Sequence, residues 1–211
     1  MKVIVAIETA PKKAFATATD WPGWSRSGKT EELAVEALID YADRYAPVAR
    51  AAGETFEPAS VEVEVVERAD GGSGTEFGVP SRVTHEDRRP TTAAEADRLG
   101  RLVDAAWRTF SDVSAAAPEE LRKGPRGGGR NTSKVIEHVT GADEAYAREM
   151  GIKLKAPIVE VRAAMLEVLR IPSDGSPLAD RRWTARYAAH RIAWHALDHA
   201  WEIEDRTEPA G

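Results

Sequence analysis

Two kinds of apolar spacing divide the chain. Up to about residue 66 the short period of strands recurs. Lys2 to Thr9 and Ala14 to Thr19 are strand-like runs on either side of Pro11-Lys12-Lys13, which predicts a hairpin. Val61, Val63 and Val65 alternate with Glu62 and Glu64, the pattern of a strand with one wet face. Between them, Asp20-Trp21-Pro22-Gly23-Trp24 reads as a turn carrying two large aromatics, and Ser27-Gly28 as a second turn. Thr30 then opens a helix. Its hydroxyl can cap free amides, and Glu31 and Glu32 lie where the helix dipole favours negative charge. Leu33, Ala37, Leu38, Tyr41, Tyr45 and Val48 recur at spacings of three and four, so they share a face until Gly53 ends the run.

After Pro90 the period becomes helical. Helices are predicted from about Thr92 to Val113, from Asn131–Ser133 to Glu149, from Pro157 to Pro172, and from about Thr184 to Glu204. Four amphipathic helices joined by loops fit a bundle. Between the two regimes, Asp70-Gly71-Gly72-Ser73-Gly74 reads as flexible, and Pro80 and Pro90 bracket a polar stretch without a period. The fold expected is therefore an α+β amino-terminal unit (residues 1–68), a linker (69–89) and an all-α four-helix bundle (90–211).

Composition narrows the chemistry. At 211 residues and 42% hydrophobic content the chain can bury a core without staples. It holds no cysteine, which excludes disulfides, internal thiolate nucleophiles and sulfur-ligated zinc. Any metal must be held by histidine and carboxylates. Formal charge is −6. The residues through Pro90 carry 11 basic and 16 acidic side chains and the remainder 18 and 19, so neither half has the electrostatic footprint of a nucleic-acid binder. No stretch approaches the roughly 18 apolar residues of a membrane span, and the amino terminus reads as a strand rather than a signal peptide. A cytoplasmic location is the expectation.

The last predicted helix contains His195 and His199, four apart and so one turn above each other on one face. Arg191 and Glu202 extend the same stripe, with Asp198 at its edge. Trp194, Leu197 and Trp201 form an adjacent apolar strip that would lock the helix. A histidine pair at this spacing is weak evidence alone, since two polar or core histidines give the same pattern. His138, in the second bundle helix, changes the weighing: packed against the fourth helix, it could reach the same point. Three neutral imidazoles leave an open position on a divalent ion and suit Zn²⁺, Ni²⁺ or Fe²⁺ over Mg²⁺ and Ca²⁺. Glu202 has three readings: a further ligand, a partner or general base beside a metal-bound imidazole, or a surface glutamate paired with a basic neighbour. Arg191 could pair with Glu202 or Asp198, or contact an anion. His190 points roughly 140° away from His195 and reads as a solvated or packing residue; His85, in the linker, reads as an ordinary surface histidine. The long loop before the second bundle helix carries Lys123, Arg126 and Arg130. It is either an anion-binding rim or a solvated flexible loop.

Two stretches carry a family likeness. The strand pair followed by Asp20-Trp21-Pro22-Gly23-Trp24 and Gly28-Lys29-Thr30-Glu31-Glu32-Leu33 resembles the HicB-like antitoxin fold, from which only the scaffold is carried over. Lys134-Val135-Ile136-Glu137-His138-Val139 and Trp194-His195-Ala196-Leu197-Asp198-His199-Ala200-Trp201-Glu202 resemble the DinB-like four-helix bundles, a superfamily that includes thiol-dependent transferases and the mycothiol-dependent maleylpyruvate isomerase. That resemblance implies a metal triad of His138, His195 and His199. It also implies a transferase or isomerase using a low-molecular-weight thiol cosubstrate; beside it, the residues themselves offer Glu202 as a candidate catalytic group that shuttles a proton and Arg126 and Arg130 as candidate cosubstrate contacts that hold a carboxylate. The alternative is a non-catalytic metal-binding module for stress response or protein contacts. The partners expected are a small-molecule substrate and a second copy of the chain, with no nucleic acid and no membrane.

Overall fold

A computed structural model describes residues 1–123 and 129–207. The amino-terminal part is a four-stranded sheet in the order β3-β2-β1-β4, formed by β1 (Lys2–Ala10), β2 (Lys13–Ala18), β3 (Ser25–Gly28) and β4 (Glu62–Asp70). β1 pairs antiparallel with β2 and parallel with β4, and Val66 of β4 bulges out between Val65 and Glu67. The parallel pairing needs a crossover. Helices α1 (Glu31–Asp40) and α2 (Ala42–Ala51) supply it.

Three local differences from the sequence reading have physical causes. Ser27-Gly28 is not a turn but the end of β3, which continues the sheet by pairing Ser25–Gly28 with Ala14–Thr17. The helix expected from Thr30 to Gly53 is two helices. Tyr41 leaves helical geometry at ψ 3°, its ring meeting Trp201 at 5.1 Å and the Arg26 guanidinium at 3.8 Å. Leu33 accordingly stays exposed while Leu38, Tyr45 and Val48 are buried. The glycine-rich segment read as flexible holds a short helix, α3 (Ser73–Phe77), and is tied to the sheet by a buried carboxylate. Glu8 accepts from the amides of Ser81 (3.0 Å) and Arg82 (3.1 Å) and from the Thr75 and Ser81 hydroxyls.

The bundle consists of α4 (Ala93–Ala116), α5 (Thr132–Glu149), α6 (Ile158–Leu169) and α7 (Ala185–Arg206). Each start carries the signal that predicts it. Thr92 and Glu95 form a reciprocal capping box on α4, Asn131 caps Lys134 N–H on α5, and Thr184 caps Tyr187 N–H on α7. Asp143 of α5, almost fully buried, accepts from Arg162 of α6 at 2.7 and 2.9 Å. Among the described residues, no helix is long and apolar enough to cross a membrane.

Helix α7 is the axis of the molecule. It packs on α4, α5 and α6 and also on the sheet. Alternation along β1 aims Val3, Val5 and Ile7 to one side and Ala6 and Glu8 to the other. Glu8 is opposite Phe15 in the register, and the Phe15 ring meets Trp194 of α7 edge-on at 6.1 Å. The aromatic turn packs there too. Gly23 (φ 94°) approaches so closely that a Cβ would lie 2.6 Å from Leu197 Cδ1. Trp24 stacks on Tyr45 at 5.5 Å, and its indole N–H donates to Leu38 O. The apolar core thus runs without a break from the sheet through α7 into the bundle.

Candidate metal centre

Packing of α5 against α7 brings His138, His195 and His199 together. One nitrogen from each lies within 4.8 Å of the other two, and the ring centroids are 4.7, 4.9 and 5.0 Å apart. The Nε2 atoms of His138 and His195 are 3.2 Å apart. Zn–N bonds of about 2.0–2.1 Å at a tetrahedral centre put neighbouring nitrogens roughly 3.3 Å apart, so this pair already has a ligating separation. His195 is buried, and its Nδ1 has no hydrogen-bond partner among the described residues. His138 and His199 are only partly covered, which leaves one side of the cluster facing outward.

Electrostatics favour the neutral form of His138 and His195, the form that ligates. Burial lowers His195, helped by His199 and then Arg191, to about 2. Burial also lowers His138, followed by the charges of His199 and Arg130. His199 is oriented from behind. Its Nδ1 donates to Glu202 Oε2 at 2.7 Å, and Arg206 donates to Glu202 Oε1 at 2.7 Å, leaving Nε2 as the free lone pair. The hydrogen bond from His199 holds the Glu202 carboxyl below its usual range. Arg206 is itself fixed by the carbonyls of Arg122 and Arg130, both at 2.8 Å.

The other residues singled out from sequence fall into place around this cluster. Glu202 is the partner of an imidazole and lies outside the group of mutually close ligand atoms. Asp198 does not orient a histidine; it pairs with Arg26 at 2.9 Å. Arg191 reaches neither Glu202 nor Asp198. Its guanidinium lies over the rings of Trp194 (4.8 Å) and Tyr146 (5.2 Å), and Nη1 has no partner among the described residues. His190 is not solvated but packed, 2.8 Å from the Thr19 carbonyl. His85 is exposed. Arg130 stands where its charge acts on His138 and His195, whereas Arg126 lies outside the described residues.

Two participants escape a reading that starts from histidines. Tyr146 covers His195 edge-on at 5.7 Å, and it lies eight residues after His138 on the same face of α5. Arg206 closes the chain behind His199 from four residues beyond Glu202, a spacing that could have announced it. Comparisons of the chain with models of protein families, with curated proteins and with solved structures find no match.

Proposed function

We propose that His138, His195 and His199 hold one divalent transition-metal ion, and that the protein works as a metal-binding module. The observation that carries this reading is the convergence of three imidazole nitrogens from two helices, one of them ordered by a carboxylate behind it. The ligand set is all nitrogen, which fits Zn²⁺, Ni²⁺ or Fe²⁺ and not Mg²⁺ or Ca²⁺. Likeness to DinB-like bundles supports the same three ligands. A metal at this point, when bound, would supply Lewis acidity and lower the pKa of a water or thiol on its outward side.

A second reading, a transferase or isomerase acting with a small thiol, is favoured by one observation. Arg130 lies close enough for its positive charge to act on His138 and His195, and a carboxylate carried by a thiol on the metal could pair with it. In that reading Glu202 holds the Nδ1 proton of His199, Arg126 and Arg130 receive the carboxylate, and the thiol comes from solution because the chain has none. Titrating Co²⁺-loaded protein with mycothiol, bacillithiol and glutathione separates the two. A new sulfur-to-metal charge-transfer band selects the thiol enzyme; an unchanged spectrum with all three selects the module.

A further inference from the structure

Away from the histidines, a cleft of about 590 Å³ opens between the segment before α4 and the loop leading into α7. Arg82, Arg88, Arg181 and Arg182 line it, together with Trp183 and a single carboxylate, Asp70. This arrangement is unusual for the chain. Acidic residues outnumber basic ones by 35 to 29, and the nearby arginines Arg89 and Arg186 are taken up by Asp20 and Glu95 at 2.7 and 2.9 Å. The four cleft arginines make no ion pair among the described residues. All four are exposed, so their charge faces the cleft and its solvent rather than a protein carboxylate.

The loop that presents two of them is built at a cost. Ala179 and Asp180 both adopt left-handed backbone conformations, with φ 46° and 54°, and neither is glycine. The geometry is held by a hydrogen bond from Leu178 N–H to Trp183 O at 2.7 Å, which closes the loop around Arg181 and Arg182. Its far end is pinned by Thr184, whose hydroxyl donates to Asp87 O at 2.7 Å. Residues in such conformations persist where the surroundings over-determine them, and they concentrate at ligand clamps. Trp183 is itself propped by Tyr146 at 5.1 Å and Tyr187 at 5.2 Å, so its ring is a fixed wall.

We infer that this cleft is a binding site for a small phosphorylated compound with a planar ring, of the nucleoside diphosphate class. Guanidinium groups match phosphate oxygens in planar, bidentate pairs. Four of them against one carboxylate suit a ligand of two or three negative charges. The aromatic wall suits a ring, and the volume lies within the about 300–1,000 Å³ typical of small-ligand sites. A nucleic acid is a poorer fit, because the positive charge is confined to one cleft on an otherwise acidic molecule. The site is separate from the metal centre, with Trp183 and Tyr146 standing between the cleft and His195.

Calorimetric titration with ADP, pyrophosphate and adenosine, without added metal, tests the assignment. ADP should bind, more weakly as salt rises. Pyrophosphate should bind less tightly and adenosine least. The double variant R181Q/R182Q, altered only at exposed positions, should weaken ADP about tenfold or more, whereas K29Q, an exposed charge outside the cleft lining, should leave it unchanged. Absence of ADP binding at low salt, or equal affinity in R181Q/R182Q, would overturn the site. Pyrophosphate binding as tightly as ADP would overturn the part given to Trp183.

Discussion

His199 is held between two neighbours on its own helix turn and the cluster in front of it. Glu202 accepts a hydrogen bond from Nδ1–H, and Arg206 fixes Glu202 from the other side. In E202Q the amide loses the charge that makes Nε2 a stronger donor, and Arg206 loses its partner. Metal affinity should fall about ten- to hundredfold, measured by chelator competition, while the stoichiometry at saturating metal stays the same. At this scale the sequence was readable where spacing alone decides: His195 and His199 share a face because they are four apart. It was not readable where a partner comes from far along the chain. Asp198 has the right spacing to orient a histidine, but Arg26, 172 residues earlier, takes it. His190 is set by the carbonyl of Thr19, and no periodicity announces that contact.

The elements owe their boundaries to caps that the sequence displays, and the α4 start shows their energetic reach. Glu95 accepts from the amide and hydroxyl of Thr92, both at 2.9 Å, and from Arg186 of α7. The Thr92 bonds, then Arg186, hold its carboxyl at about 2, below the unfolded value near 4.3. A carboxyl lowered on folding adds stability above its unfolded pKa and loses it as pH falls through the folded one. Stability from Glu95 should therefore be complete above about pH 5 and decline toward pH 2. Urea unfolding of E95Q across this range should show a flatter acid limb, the change being modest because the side chain is 46% exposed. Thr92→Ala should cost about 1 kcal/mol near neutral pH. Where elements departed from expectation, tertiary contacts were the cause. The long amino-terminal helix breaks at Tyr41, where the ring meets Trp201 and Arg26, and the apparent turn at Ser27-Gly28 is drawn into the sheet by β2.

Across the whole molecule, α7 explains why an α+β unit and a bundle accompany each other. The sheet packs on one side of the helix that carries two of the three histidines, and α4, α5 and α6 pack on others. Trp194, Leu197 and Trp201, read from sequence as a strip locking α7 to its partners, meet the sheet, the aromatic turn and α1–α2 respectively. Arg44 adds ion pairs to Glu204 (2.5 Å) and Asp205 (2.8 Å). The change of period near residues 68–90 marks a change of secondary structure, and it was legible because periodicity is local. The continuity of the core across it was not, because that depends on which faces meet. One cooperative unfolding transition follows from a shared core. Far-UV circular dichroism and tryptophan fluorescence should give coincident urea curves, and two separated midpoints would show independent halves.

The central claim is that three histidines from α5 and α7 make one metal centre. Its most direct test is the metal content of untagged protein, with His138→Ala, His195→Ala and His199→Ala purified in parallel and His85→Ala as the control. We predict one transition-metal ion per chain in the parent and in His85→Ala, and loss of most of it in each of the other three. Full metal occupancy in His195→Ala, or a parent protein that takes up no transition metal, would contradict the account.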